Sequence, residues 1–118
     1  MKPSEALRTR DQIEYMLTAL ERIRDYTASV TLETFQSTRM IVDAVVRNLE
    51  IIGEAARNVI LGDAAFMNAH PEIPWQDLDA MGNRLSREYF AINAKTVWVT
   101  VQNDVPKLER ALSHLLQP

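Results

Sequence analysis

Thirty consecutive residues, 32–61, carry apolar side chains at helical spacing: Phe35, Ile41, Val42, Val45, Leu49, Ile52, Ala55, Ala56, Val59 and Ile60. Steps of three and four put them on one helix face. A continuous helix of that length, at 1.5 Å per residue, would run about 45 Å. A folded chain of this size has a radius of gyration of only about 13 Å. The segment must therefore bend, break or extend along a partner. Gly53 sits in its middle, where glycine costs about 1 kcal/mol relative to alanine. With Ala55 and Ala56 close by, it reads as a place where another helix comes near, and a second copy of the chain is one candidate for that helix. Gly62-Asp63 supplies a stop.

The remaining sequence is also helical in pattern. Residues 3–28 show an apolar face built from Ile13, Met16, Leu17, Leu20 and Ile23, with Pro3 suited to a first turn. Ser29-Val30-Thr31 interrupts it, and Thr31 is an N-cap candidate. Residues 63–74 read as irregular, because His70 and Ile73 each precede proline. A third helix is predicted from Trp75 to about Tyr89. Asn93 caps a fourth from Ala94 onward, with Pro106 expected to kink or split it near Asp104. There is no alternating strand pattern, repeat or linker. The expectation is an all-α bundle of four or five helices in a single domain spanning residues 1–118.

Composition narrows the chemistry. Of the 118 residues, 47% are hydrophobic and 25% charged, enough for a core without covalent staples. The absence of Cys excludes disulfides, thiolate zinc sites and cysteine catalysis. Two His residues, His70 and His114, argue against a His-rich metal site, and no metal or cofactor is expected. A net charge of -3 excludes a strongly basic nucleic-acid coat but leaves room for a local basic site. The chain has no run of about 20 apolar residues. Charges also stand near the N-terminus, where a signal peptide would be apolar. A cytoplasmic protein is the expectation.

The densest local cluster is Gly82-Asn83-Arg84-Leu85-Ser86-Arg87-Glu88-Tyr89. Arg84 and Arg87 are three apart, share a helix face and form a small phosphate-binding patch. Asn83 and Tyr89 can add hydrogen bonds, and Tyr89 and Phe90 offer rings on which a base can stack. The same segment also reads as a solvated face with ordinary pairs such as Arg84–Glu88. Gly82-Asn83 is locally a turn pair that would loosen the helix. Arg47, Glu50, Glu54 and Arg57 follow one another at steps of three and four. They read as intrahelical ion pairs rather than as an acid/base site.

Three blocks in order resemble a known family: Arg47-Asn48-Leu49-Glu50-Ile51-Ile52-Gly53-Glu54-Ala55-Ala56; Ile73-Pro74-Trp75 followed by residues 81–90; and Val97-Trp98 through Pro106. Together they resemble the HepT-like proteins of the HEPN superfamily. The resemblance implies a homodimeric HEPN-type bundle acting as a metal-independent RNase toxin. It also implies a cognate minimal nucleotidyltransferase as antitoxin, RNA as substrate, and Tyr89 as the hydroxyl that receives AMP. The family's catalytic signature is Arg, four residues, His, one residue, Tyr. Laid on this chain it puts Gly82 at the Arg position, Arg87 at the His position and Tyr89 at the Tyr position. Asn83, Arg84 and Arg87 would line the RNA groove. Gly82 can hold no phosphate. A guanidinium such as that of Arg87 stays charged and cannot exchange protons near neutral pH. Cleavage is therefore expected to be impaired. A non-catalytic subunit that docks a nucleotidyltransferase is the alternative.

Overall fold

The computed structural model describes residues 3–88 and 91–117. Six helices follow one another: α1 (Pro3–Thr27), α2 (Leu32–Ser37), α3 (Arg39–Gly62), α4 (Ala64–Ala69), α5 (Trp75–Arg87) and α6 (Ala94–Leu115). No strand occurs among the described residues. The bundle is organised around α3, which packs α1 on one flank and α5 on another, with α6 closing over α1 and α2. Ile13, Met16, Leu20 and Ile23 of α1 meet Val45, Leu49, Ile52 and Val59 of α3 and Leu112 of α6, all essentially withdrawn from water.

The long apolar segment takes the second of its three options and breaks. Thr38 leaves helical geometry (φ -118°, ψ 88°), and its N–H bonds back to the Phe35 carbonyl. Fully buried Phe35 lies 5.2 Å from Trp98 of α6, ring centre to ring centre. A straight helix running into α3 could not also seat that ring, so the short α2 turns away from the α3 axis. Thr31 caps α2 as its sequence suggests, accepting from the Thr34 N–H at 3.1 Å.

Three expectations are corrected. The stretch 63–74 holds a helical turn and a half, α4. One Asp63 carboxylate oxygen accepts from the Phe66 N–H (3.1 Å) and the other from the Thr9 hydroxyl (2.6 Å). A side-chain cap of this kind contributes about 1 kcal/mol, and only the prolines that follow stop the helix. Pro106 does not split α6, which is continuous through it. Gln102, whose carbonyl loses its partner there, is exposed and can bond water. Gly82-Asn83 forms no turn. α5 continues to Arg87, and no glycine has a positive φ.

Gly53 is indeed the site of a close helix approach, but the neighbour belongs to the same chain. A Cβ built on Gly53 would lie 2.8 Å from the Gly82 Cα and 2.8 Å from the Leu78 carbonyl oxygen. Ala55 and Ala56 are likewise buried within the bundle. The small residues that suggested a seam for a second copy are used internally.

Candidate functional site

The site is built on α5. Buried Trp75 fixes the start of this helix, its Nε1–H donating to the His70 carbonyl at 3.0 Å. The helix then crosses α3 at the two glycines. From the other side of the contact, a Cβ on Gly82 would sit 3.0 Å from the Gly53 Cα. The helices touch backbone to backbone here, and Gly82 is buried. The last turn ends where the Glu88 N–H bonds the Arg84 carbonyl (2.9 Å).

The crossing divides the polar residues of α5 into two groups. On the α3 side lies a crevice of about 200 Å³ floored by Gly53 and Gly82. Ser86 Oγ donates to Glu50 Oε2 at 3.1 Å, and Arg47 approaches the same carboxylate at 3.9 Å. Asn83 donates to Asp79 at 3.3 Å, and Arg57 of α3 reaches Asp79 at 3.7 Å. On the other side, Arg84 borders a groove between α5 and α6. Arg87 is exposed, with its Nε donating to the Asn83 carbonyl at 3.3 Å.

The expected patch is therefore split. Asn83 belongs to the crevice and Arg84 to the groove, while Arg87 folds back over the helix end. The Arg84–Glu88 ion pair is not formed among the described residues, where Glu88 serves instead as the backbone cap. Tyr89 and Phe90 lie outside the described residues. Of the α3 charges, Arg47 and Glu50 do pair along the helix, but Arg57 pairs across the crossing and Glu50 accepts from Ser86. Sequence reasoning missed Glu50, Arg57, Asp79 and Ser86 as neighbours of the site. The readable signal was Gly53 alone, a glycine in the middle of a long helix.

The chemistry available is limited. Neither histidine is near this end of α5: the His70 ring is tilted against Phe66 (4.4 Å between ring centres) beside Glu72, and His114 is exposed in the last turn of α6. Two guanidinium groups can hold phosphate, but neither can transfer a proton near neutral pH. Among the described residues, no three His, Asp or Glu side chains gather as a metal set, and no helix is long and apolar enough to cross a membrane.

Six helices folded about one long central member, with a charged helix end beside it, define an all-α bundle of the HEPN type. The Ribonuclease HepT-like family pattern matches residues 16–115, and the chain belongs to that family. It is 36% identical over 100 residues to a "Probable ribonuclease HepT" of Thermococcus cleftensis, covering 85% of this chain and 88% of the relative. A protein named as a candidate RNase in Caldanaerobacter subterraneus subsp. tengcongensis is 32% identical over 108 residues, 92% of this chain and 94% of its own. Another so named in Methanocaldococcus jannaschii is 34% identical over 104 residues, 86% and 93% of the two chains. No solved structure gives a significant match.

Proposed function

We propose that this chain is the RNA-binding toxin subunit of a HEPN-type toxin–antitoxin pair, cytoplasmic and homodimeric, with its own cleavage activity impaired. The observation that carries the impairment is the contact at Gly82. The position that the family resemblance gives to the phosphate-holding Arg has no side chain, and its Cβ direction ends 3.0 Å from the Gly53 Cα. Arg87, at the position of the family His, retains charge without proton exchange. Loss of general acid–base catalysis alone costs on the order of 10²–10⁴-fold.

The test is restoration. Gly82→Arg with Arg87→His should raise metal-independent cleavage of RNA far above that of the chain as it stands. Either change alone should recover little, because phosphate positioning and proton transfer act as a unit. Equal cleavage by the unaltered chain and the double variant refutes the reading.

The partner is read as a minimal nucleotidyltransferase that transfers AMP to Tyr89, adding bulk and negative charge beside the RNA groove. With that partner, ATP and magnesium, intact-mass spectrometry should show adenylyl addition that Tyr89→Phe abolishes. Addition that persists in the Phe variant moves the acceptor elsewhere, Ser86 being the nearest described hydroxyl on α5. The second reading is a non-catalytic subunit that docks the nucleotidyltransferase. The closure at Gly82 favours it, since neither docking nor accepting AMP needs a catalytic Arg at that position. Failure of the double variant to cleave, with AMP transfer intact, selects it.

A further inference from the structure

Between α5 and α6 lies a groove of about 480 Å³, within the size range of small-ligand sites. Its floor is aliphatic, formed by Leu20, Leu49, Ile52 and Leu78. Arg84 stands on its wall and also lines an adjoining hollow of about 200 Å³ that continues toward Asn93 and Thr96. Among the described residues the Arg84 guanidinium has neither a carboxylate partner nor a hydrogen bond. Glu72, Asp77 and Asp104 also line the groove, with Lys107 among them. The catalytic signature draws on none of these residues of α5 and α6.

We propose that this groove is a base-binding subsite that takes one unpaired nucleotide of single-stranded RNA and prefers bases bearing an exocyclic amine. The inference rests on the reading that the chain binds RNA. Three features of the groove fix the ligand and its direction. The aliphatic floor suits the face of a base, which loses little hydration when covered. Arg84 presents a planar fork of donors that fits a phosphate. The carboxylates of Glu72, Asp77 and Asp104 outweigh the single Lys107 among them and repel that phosphate, so the nucleotide lies with its phosphate at Arg84 and its base directed to the carboxylates. Carboxylates only accept hydrogen bonds. Adenine, guanine and cytosine offer them an amino group, whereas uracil presents carbonyl oxygens and one ring N–H.

The experiment titrates the isotopically labelled full chain with AMP, GMP, CMP, UMP and ribose 5-phosphate, following backbone amide shifts. AMP, GMP and CMP should move groove residues such as Thr100 and Leu108. UMP and the base-free sugar phosphate should bind at least about fivefold more weakly. Arg84→Gln should weaken AMP by about tenfold. Asp104→Asn, which supplies a donor in the same shape, should narrow the gap between CMP and UMP. Arg84 and Asp104 are exposed, so both variants should fold, as circular dichroism will show.

Shifts confined to other surfaces, or equal binding of UMP, CMP and ribose 5-phosphate, overturn the proposal. So does a change in sedimentation-derived mass in these variants with nucleotide binding unaltered, which would assign the groove to a second copy of the chain. If a single-stranded RNA oligonucleotide binds but no mononucleotide moves the groove, the subsite fails and the RNA-binding reading stands. If the oligonucleotide also fails to bind, both fall.

Discussion

The two flanks of α5 are built on opposite principles. Toward α3 the helix is sealed: Gly53 and Gly82 bring two backbones into contact, and the polar side chains nearby pair with one another across the crossing. Toward α6 it stands open, over an aliphatic floor with an arginine that has no partner among the described residues. One helix thus supplies both a backbone-to-backbone contact and a groove of about 480 Å³. Close backbone approach brings the polar side chains of the two helices within reach of one another, and a helix that stands off leaves them apart.

The sharpest way to break this contrast is to put a side chain into the sealed flank. Gly53→Val forces branched carbons against the Gly82 Cα and the Leu78 carbonyl, both backbone atoms that cannot rotate away. Overpacking of this sort costs roughly 1–3 kcal/mol. The upper end is expected here, with Tm lower by about 10 °C in a calorimetric scan. An unchanged Tm would mean that α5 is not held against α3.

Gly82→Ala should do less. Its Cβ meets the Gly53 Cα at 3.0 Å, where a Cβ on Gly53 would meet two backbone atoms at 2.8 Å. Alanine also gains about 1 kcal/mol of helix propensity over glycine. The net loss should be under about 1 kcal/mol, read as a small shift of the urea midpoint. If Gly82→Ala proved as costly as Gly53→Val, the crossing would be tighter on the α5 side than the structure shows.

The smallest effect belongs to the open flank. Glu72, at the edge of the groove, has its carboxyl held below the ordinary value of 4.5, first by its own backbone N–H and then by the neighbouring His70. A carboxylate whose folded pKa is depressed adds stability that is present above the unfolded pKa. That stability is lost as pH falls through the folded value. Urea midpoints should therefore decline slightly faster below about pH 4.5 in the native chain than in Glu72→Gln, with no difference between the two slopes near pH 7. Parallel curves throughout would remove the His70–Glu72 interaction from the account.

The helices were legible wherever apolar residues recur at steps of three and four, and Gly53 announced a close approach. Its partner could not be read. Gly82 lies 29 positions away, and local rules made it half of a turn pair. The break at Thr38 escaped notice because the apolar pattern runs on from Phe35 to Ile41 and Val42. What bends the chain is the demand of Trp98 on Phe35, a tertiary cause. α4 was hidden by the two prolines after it, although Asp63 is a readable cap. In the site, the spacing of Arg84 and Arg87 is right for one face. It does not disclose that Arg87 turns back to the Asn83 carbonyl, or that α6 stands off far enough to leave a groove beside Arg84.

The glycine crossing also constrains how this sequence can change. With both positions bare, the two backbones sit closer than almost any pair of residues bearing β-carbons would permit. A side chain arriving at position 82 begins against the Gly53 Cα and has the crevice beside it as its way out. A larger residue at position 53 would press on the same contact. What position 82 can accept is therefore set by what stands at position 53, and the two positions are coupled although 29 residues separate them.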